Sequence, residues 1–497
     1  MGSLEDHNPH HFNPLDLEEF RTQAYQTIDF IVNYYQNIET FPVLSQAQPG
    51  FLKSSFPNTP PNKPQPFETT LQDVQTKLMP GITHWLSPNF FAYFPSTIST
   101  AGFLGEMLCT AFNTVGFNWL ASPASTELEI LVMDWMAKML RLPKTFMFCG
   151  SGGGVLHGTT SEAMLCTLVA ARDRALAVDP NRDVNKLVVY GSDQTHSTYA
   201  KACKIAGIPP ENIRTICTTL GSEFGLEPRL VFEAMEADVA GGLKPIYLCA
   251  TVGTTSSTAV DPVDGLADVA KRFGVWFHVD AAYAGSACIC PEFRGYLDGV
   301  ELADSLSLSP HKWFLSCLDC CCLWVKEPGL VTASLSTDPE YLKNKQSESN
   351  SVVDFKDWQV GTGRRFRAIR LWMIFQMYGV ANLQSHIRSD IHLAKGFEKM
   401  VKSDSRFEIV VPRRFALVCF RLNPPRPKSK PKVVELLNRK LLEWVNSTGR
   451  LYMTHSIVGG IYFLRFAVGA TLTEDRHVAA AWEVISEGAD QVLRDQS

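Results

Sequence analysis

Short runs of apolar residues, separated by polar turns, dominate the middle of this chain. Residues 186–190, 246–250 and 275–279 are such runs, and an Ala/Leu-rich helical stretch ending at about residue 175 precedes them. Apolar runs of this length, bounded by turn residues, are typical of strands buried inside a sheet. They predict an open α/β sheet, in which ligands bind just beyond the carboxyl ends of the strands.

The amino-terminal part has a different pattern. The pattern predicts one helix over residues 17–39, which Asp16 can cap and which carries apolar residues at helical spacing. That apolar stripe is either core packing or a dimer surface. A Pro-rich linker, residues 57–66, and a second predicted helix, residues 70–79, follow.

From residue 371 the pattern predicts a smaller α/β unit. Its predicted members are strands at residues 407–411, 416–422 and 460–468 and a helix at residues 433–446. The Pro- and Lys-rich stretch 424–431 is predicted to be a solvated loop.

Length and charge limit the class of protein. A chain of 497 residues predicts two or three domains. The formal net charge of -5 argues against nucleic acid or an anionic membrane surface as the main partner. Because the sequence has neither a run of roughly 18 apolar residues nor a secretory signal, we expect no membrane span and a cytoplasmic location.

The chain has 13 cysteines, and Cys317, Cys320, Cys321 and Cys322 cluster in an apolar stretch. A zinc site is one interpretation of this cluster. Successive strand residues point to opposite faces, however, and no second pair of ligands is evident. The cluster is therefore predicted to consist of buried free thiols in a reducing compartment, and no metal is expected.

Two segments are unusually rich in aromatic residues. One spans residues 85–95 and is stiffened by Pro88 and Pro95, and the other spans residues 115–119. Both patterns are compatible with an ordinary core. They also suit the rigid wall of a pocket that binds a flat aromatic ring.

A glycine-rich turn at residues 150–154 leads towards Thr159, Thr160, Ser161 and the Ala/Leu-rich helix. Free N–H groups at a helix start, with hydroxyls in the first turn, suit a phosphate group. The spacing is that of neither a dinucleotide fingerprint nor a P-loop. A glycine-rich loop without a ligand is the alternative.

Three polar residues stand out against apolar surroundings. His196 follows the predicted strand 186–190, and Asp280 ends an almost wholly apolar strand, where an unpaired carboxylate is costly. Lys312 lies among apolar and aromatic neighbours. Burial lowers the pKa of a lysine and frees its amine to react with an aldehyde, although a surface lysine is the alternative.

Together these residues match the needs of pyridoxal 5'-phosphate. Lys312 can form the imine with its aldehyde, Asp280 can keep its ring nitrogen protonated, and His196 can stack on its ring. The helix start at Thr160 and Ser161 can bind its phosphate. The combination is far more specific than any one of these residues.

With these residues the chain resembles the pyridoxal-phosphate-dependent aromatic L-amino-acid decarboxylases of group II, particularly the plant tyrosine and tryptophan decarboxylase branch. The resemblance runs from about Asn13 to Ala467. The stretches that carry it are His84-Trp85, 90–95, Ser122-Pro123-Ala124, 126–129, 192–196, 279–285, 287–291, His311-Lys312-Trp313, Asp357-Trp358-Gln359 and 364–367.

The resemblance implies an α/β protein of fold type I. It implies a large cofactor-binding domain at residues 99–370, with a mostly parallel seven-stranded sheet. Residues 1–98 would form a helical dimerisation segment, and residues 371–497 a small α/β domain. The active sites would lie at the interface of a homodimer.

By residue, the resemblance implies that Lys312 carries the cofactor, that Asp280 pairs with its ring nitrogen and that His196 stacks on it. The further cofactor contacts that it implies are Thr160, Ser161, Thr255, Ser309 and His311. The substrate-pocket positions that it implies are Trp85, Tyr93, Phe94, Pro95, Val115 and Phe117. Two positions depart from relatives: Ser309, where many carry Asn, and His157, where Gln is common.

Residues 338–359 are polar and without periodicity, which predicts a mobile loop. In the decarboxylases that the chain resembles, this loop is a lid over the partner subunit's site, and a tyrosine on it protonates the carbanion left by loss of CO2. We interpret that position here as Phe355, which has no proton to give.

A long-lived carbanion would react with O2 as a second substrate. On this interpretation the chain is an aromatic acetaldehyde synthase, which releases the aldehyde, CO2, NH3 and H2O2. The alternative is a simple decarboxylase, which releases the arylalkylamine. Gly363 resembles a position that carries Gly or Ser, and Gly favours phenylalanine or tryptophan over tyrosine because it offers no hydrogen bond to a ring hydroxyl.

Overall fold

The computed structural model describes residues 13–178, 183–337, 339–349, 351–424 and 431–494. A large central sheet is built from β1 (Gly153–His157), β2 (Leu187–Ser192), β3 (Ile213–Ile216), β4 (Lys244–Thr251), β5 (Trp276–Asp280), β6 (Ser305–Leu308) and β7 (Cys321–Val325). Within the described residues these form a seven-stranded sheet in the order β1-β7-β6-β5-β4-β2-β3. β7 is antiparallel to both neighbours, and the other pairs are parallel. The predicted fold, a mostly parallel seven-stranded sheet, is confirmed.

Helices cover the sheet and join its strands. In chain order they are α1 (Leu17–Gln36), α2 (Phe67–Asp73), α3 (Thr100–Phe112), α4 (Pro123–Met139), α5 (Thr160–Val178), α6 (Thr198–Ile205), α7 (Pro228–Ala240), α8 (Val263–Phe273), α9 (Pro310–Trp313), α10 (Pro328–Leu335), α11 (Lys345–Glu348), α12 (Ala368–Ser403), α13 (Pro431–Ser447) and α14 (Asp475–Arg494). Across the described ranges, every helix is too short or too polar to cross a bilayer.

The sheet is buried on both faces, which explains the nearly continuous apolar runs in the sequence. Val188 belongs to the core on one face and Val189 to the core on the other. The cysteine cluster follows the same alternation, because Cys322 joins the first core and Cys321 the second. Cys320, Cys321 and Cys322 are fully buried free thiols, as predicted, whereas Cys317 is a free thiol that is only half-buried.

The carboxyl-terminal part contains a second, antiparallel sheet. Its strands are β8 (Phe407–Ile409), β9 (Leu417–Leu422), β10 (Thr454–Val458) and β11 (Ile461–Ala467), in the order β10-β11-β9-β8 within the described residues. The predicted strands correspond to β8, β9 and β11, and β10 was not predicted because its exposed and half-buried residues alternate. Most of the predicted loop 424–431 lies outside the described residues.

The amino-terminal helices match the prediction in kind and differ in their bounds. Asp16 caps α1 by accepting hydrogen bonds from the N–H groups of Glu18 and Glu19 at 3.1 and 2.9 Å. No residue of α1 is buried in this chain. α2 begins before the predicted start and continues into a wider turn, Val74–Leu78.

The glycine-rich turn does not open a helix as predicted. β1 begins at Gly153, so an entire strand separates the glycines from α5. The backbone packs closely here, since a Cβ at Gly152 would lie 2.0 Å from the carbonyl oxygen of Thr145. These glycines therefore serve packing of the sheet edge, while Gly158 and Thr159 lead directly into α5.

A buried ion pair joins the edge of the sheet to the segment before α12. Arg364 and Glu129 are 5% and 2% exposed, and the guanidinium donates to the Glu129 carboxylate. The same carboxylate accepts the N–H of Leu156 at 2.7 Å. The pair thus connects α4, β1 and the chain around Gly363.

Replacing Arg364 with Leu should destabilise the protein strongly, because Glu129 would be left buried without its cation. We expect a loss of about 3–5 kcal/mol in the free energy of unfolding, measured by urea denaturation. Arg365→Leu is the matched control: Arg365 pairs with Glu106 on the surface, and its loss should cost about 1 kcal/mol or less. Equal effects of the two substitutions would contradict this account.

Candidate active site

A cavity of about 170 Å³ lies beyond the carboxyl ends of β2, β4 and β5, next to the start of α5. The fold creates it because the parallel strands end at one edge and the polar residues follow them. Its walls include many of the predicted cofactor residues: Thr160, Ser161, His196, Thr255, Asp280, Ser309, His311 and Lys312, with Phe94 from the aromatic segment.

Lys312 lies on the short helix α9, which follows β6. Its Nζ is 5.8 Å from the centre of the Phe94 ring. Burial lowers the pKa of Lys312, and the charge of Asp280 opposes that shift. A lysine in this setting holds its proton less tightly, so its amine is available as a nucleophile.

Asp280 is the last residue of β5 and is 4% exposed. Its Oδ1 accepts the N–H of Ala282 at 3.0 Å. The carboxylate can therefore balance the charge of Lys312 or of a cationic ligand group in the cavity.

His196 lies on the turn between β2 and α6. The N–H of Thr198 donates to His196 Nδ1 at 3.2 Å, so a neutral imidazole carries its proton on Nε2. Burial, followed by the charge of Lys312, lowers the pKa of His196. Both effects favour a neutral, flat ring beside Lys312.

Hydroxyl groups gather where α5 begins. The Thr160 and Ser309 hydroxyls are 2.8 Å apart, and so are those of Ser161 and Thr198. Together with the free N–H groups of the first helical turn, they form a set of donors suited to a phosphate. Many relatives carry Asn where this chain has Ser309. The shorter side chain still joins the cluster, because its hydroxyl reaches that of Thr160.

His311 is held by the chain that leads into β7. Its Nδ1 donates to the Cys320 carbonyl oxygen at 2.6 Å. Burial lowers the pKa of His311 to about 4. The ring is therefore neutral near neutral pH, and Nε2 remains an acceptor.

The donor set fits pyridoxal phosphate. Besides the groups above, Thr251 has a buried hydroxyl that finds no hydrogen-bond partner within the described part of the chain. A buried hydroxyl without a partner is costly, so it suits a site built around a polar ligand. Lys312, Asp280, His196, Thr160 and Ser161 would hold the cofactor. When bound, it supplies an electron sink for the electron pair left behind when a carboxylate departs as CO2.

Most of the predicted substrate wall lies outside this cavity. Trp85 stacks on Tyr93 at 5.5 Å, and both side chains are exposed, by 38% and 47%. Val115 is 50% exposed, Phe117 is half-buried and Gly363 is exposed. Pro95 is buried against Gly469, where an added Cβ would lie 2.4 Å from its ring. Among the described residues of the predicted wall, Phe94 alone lines the cavity.

The structure contradicts the predicted position of Phe355 on a mobile lid. Phe355 is 1% exposed and packs edge-on against Phe148 and Trp358, with ring centres 6.3 and 5.8 Å away. The Arg364 guanidinium covers its ring at 4.8 Å. The apolar end of the loop is drawn into the core beside β1, and Phe355 does not line the cavity.

Sequence reasoning missed Tyr283. Its ring stacks between Phe94 at 3.7 Å and Trp313 at 4.9 Å and forms one wall of the cavity. An aromatic residue three places after Asp280 was the available signal, since residues that follow a strand in such a sheet face the ligand. Thr198 and Thr251 were missed for a different reason, because hydroxyl residues are common near strand ends.

The sequence offered no physical explanation for His157, where relatives often carry Gln. In the structure His157 is the last residue of β1 and is fully buried. Its Nδ1 lies 3.4 Å from Glu162 Oε2 in the first turn of α5. The position therefore belongs to the structure beneath the start of α5.

Comparison with known proteins identifies the class that this fold and cavity define. The family model described as the pyridoxal-dependent decarboxylase conserved domain matches residues 49–423. The chain belongs to this family, and the protein is accordingly a pyridoxal-dependent carboxy-lyase.

Individual relatives come from plants. A tryptophan decarboxylase of Camptotheca acuminata is 67% identical, over 99% of this chain and 100% of its own length. A phenylacetaldehyde synthase of a Rosa hybrid cultivar is 56% identical, over 96% and 95%. The crystal structure of Oryza sativa TDC with PLP and tryptamine has a TM-score of 0.95 and 53% identity, and the match covers 97% of this chain and 99% of that one. The chain is therefore a member of the plant aromatic amino-acid branch.

Replacing Lys312 with Ala should prevent covalent attachment of the cofactor, because no other amine lines the cavity in the described residues. After borohydride reduction, the wild-type protein should gain the cofactor's mass, and Lys312→Ala should not. Lys326→Ala is the control, because Lys326 lies away from the cavity and donates a hydrogen bond to the Glu301 carbonyl oxygen. The Lys326→Ala protein should keep the adduct. An adduct on Lys312→Ala, detected by mass spectrometry of the intact protein, would refute the assignment.

Proposed function

We propose that this enzyme decarboxylates an aromatic L-amino acid and releases the arylalkylamine. The observation that carries the proposal is the contrast between two side chains of the predicted loop. Tyr341, in the turn Glu340–Leu342, is 84% exposed, whereas Phe355 is 1% exposed. A phenol on the surface of a loop can move to a reacting carbon, and a ring enclosed by its own core cannot.

The chemistry requires a proton donor. The carbanion left by loss of CO2 becomes an amine only when its carbon is protonated. A phenol is a stronger acid than an aliphatic hydroxyl, and Tyr341 is the phenol of residues 337–351. The aldehyde and O2 consumption are expected when Phe355 occupies the donor position, because Phe355 has no proton to give. If Tyr341 is the donor, that reason no longer applies.

The cavity residues then have separate tasks. Lys312 holds the cofactor, Asp280 balances positive charge in the cavity, and His196 offers a flat neutral face for the cofactor ring. Apolar walls from Phe94 and Tyr283 keep water away from the reacting carbon, which also strengthens the electrostatic interactions in the cavity.

Tryptophan is the substrate that we favour. The support is the identity to a tryptophan decarboxylase and the resemblance to a structure that holds tryptamine. Gly363 is consistent with this choice, because glycine offers no hydrogen bond to a ring hydroxyl and so does not favour tyrosine. Phenylalanine is the second candidate, because its ring has no hydroxyl and so needs no hydrogen-bond partner at position 363.

We further propose that the active enzyme is a homodimer. Tyr341, Val115 and Gly363 lie outside this chain's own cavity, and α1 exposes Leu17, Phe20 and other apolar side chains along its length. A second copy would cover α1 and could bring these residues to the cavity of its partner. As part of this proposal, residues 1–98 form the dimerisation segment, residues 99–370 the large cofactor-binding domain and residues 371–497 the small α/β domain.

Replacing Tyr341 with Phe should change the product. Amine formation should fall by about 100-fold or more, because the proton donor is lost. The persisting carbanion should react with O2, so the aldehyde and H2O2 should appear. Chromatography of the products from tryptophan, together with an oxygen electrode, measures both effects.

Phe355→Tyr is the control for this experiment. Its added hydroxyl points into the core, so the product should still be the amine, at some cost in stability. The proposal is wrong if the wild-type enzyme consumes O2 and releases aldehyde, and in that case the synthase interpretation holds. Unchanged amine output from Tyr341→Phe would also exclude Tyr341 as the donor.

Replacing Gly363 with Ser should shift the preference from tryptophan towards tyrosine. The new hydroxyl can bond a ring hydroxyl and takes space from the larger indole. We expect the ratio of kcat/KM for tyrosine to that for tryptophan to rise by about tenfold. The matched control is Gly361→Ser, where an added Cβ also has no neighbour. If both substitutions change the ratio equally, position 363 does not contact the ring.

A further inference from the structure

Beneath the hydroxyl cluster, a buried histidine pairs with a half-buried glutamate, and neither residue lines the cavity itself. His157 is fully buried at the end of β1, and Glu162 lies in the first turn of α5. His157 Nδ1 is 3.4 Å from Glu162 Oε2, an ion-pair distance, and within the described residues neither ring nitrogen of His157 makes a hydrogen bond. The Glu162 carboxylate is therefore the acidic group paired with this imidazole.

Glu162 also holds the backbone that leads into the helix. Its Oε2 accepts the N–H of Gly158 at 3.3 Å, and its own N–H contacts the Thr159 hydroxyl at 3.4 Å. This arrangement is similar to a capping box, which fixes the entry of a chain into a helix, except that the carboxylate accepts the N–H of the residue before the N-cap. The next residues, Thr160 and Ser161, carry the hydroxyls that line the cavity.

The opposite side of Gly158 is also restrained. A Cβ at this position would lie 2.8 Å from Asp319 Oδ2, so any larger residue would displace that carboxylate. Asp319 in turn accepts a hydrogen bond from Arg367 at 3.0 Å. The turn before α5 is thus held between the Glu162 and Asp319 carboxylates.

Two carboxylates close to a phosphate site pose an electrostatic problem, because like charges repel a bound dianion. Arg367 compensates Asp319. For Glu162 the nearest compensating group is His157. Burial raises the pKa of Glu162, but the contact and charge of His157, the Gly158 N–H and the charge of Arg367 lower it to about 2. Glu162 is accordingly an anion that depends on its neighbour.

We infer that His157 and Glu162 form a positioning pair for the phosphate-binding turn of the cofactor site. The imidazole fixes the Glu162 carboxylate, and the carboxylate fixes Gly158, Thr159 and the start of α5. The pair acts on the cofactor phosphate through this turn and touches neither substrate nor the reacting atoms. The inference rests on the phosphate lying at the start of α5 and is independent of whether the enzyme releases amine or aldehyde.

The test compares two ligands on full-length protein from which the cofactor has been removed. Pyridoxal phosphate needs the turn, whereas pyridoxal, which lacks the phosphate, does not. For His157→Leu we expect the Kd of pyridoxal phosphate to rise by about tenfold or more, since the polar contact that fixes the Glu162 carboxylate is lost. The Kd of pyridoxal, measured by the same absorbance titration, should stay within about twofold.

Two variants sharpen the comparison. His157→Gln keeps an N–H that can reach Glu162, so it should restore the affinity for pyridoxal phosphate to within about threefold of wild type. His477→Leu is the matched control, because His477 is also buried and lies 3.3 Å from a glutamate, Glu39, far along the chain. It should leave both dissociation constants unchanged.

A double-mutant cycle tests whether the two residues act together. Glu162→Gln retains an oxygen for the Gly158 N–H and has no charge to compensate. In that background, His157→Leu should weaken pyridoxal phosphate by no more than about threefold. The inference fails if the full effect of His157→Leu persists there, if His157→Leu weakens both ligands equally, or if it changes neither.

Discussion

The site depends on the cost of placing charges at the end of an apolar sheet. Lys312 and Asp280 lie where two cores have excluded water, and neither charge would be stable there without the other or a ligand. Burial lowers the pKa values of Lys312 and His196, with the charge of Lys312 adding to the shift of His196, and this favours the free amine and the neutral imidazole. The apolar strands are therefore part of the chemistry, because they create the low-dielectric surroundings in which it occurs.

The order of the strands turns this constraint into a defined geometry. Parallel strands bring Asp280 and the turn of His196 to one edge, and the helix start at Thr160 completes the cavity. The reversed strand β7 adds a second restraint, because its approach places the Cys320 carbonyl against His311. The charged and polar groups are therefore held by backbone atoms next to the strand ends, and the ladder hydrogen bonds of the sheet fix where those ends lie.

The sequence was sufficient for the residues whose chemistry conflicts with their surroundings. A carboxylate after an apolar strand and a lysine among aromatic residues are costly, so both stood out as candidates, and the structure brings them to one cavity. Phe355 was misjudged because it stands in a polar stretch, and sequence alone does not reveal that the core beside β1 has room for an aromatic ring. The glycine turn was misread for a similar reason: glycines serve close packing and phosphate binding alike, and only the intervening strand distinguishes them. The exposed wall residues, such as Trp85 and Val115, could not be placed from sequence, because in the proposed homodimer they would face the partner's cavity, and a single sequence does not show how two copies pack.

The contrast between Tyr341 and Phe355 has a consequence for how such enzymes diverge. A side chain exposed by 84% makes few contacts, so its replacement costs little folding stability, commonly within about 0.5 kcal/mol. On the proposed assignment, the residue that selects the product is thus one that evolution can exchange without rebuilding the protein. The residues that hold the cofactor have no such freedom. New reactions should therefore arise in this family through the loop, on a scaffold whose sheet and cavity stay the same.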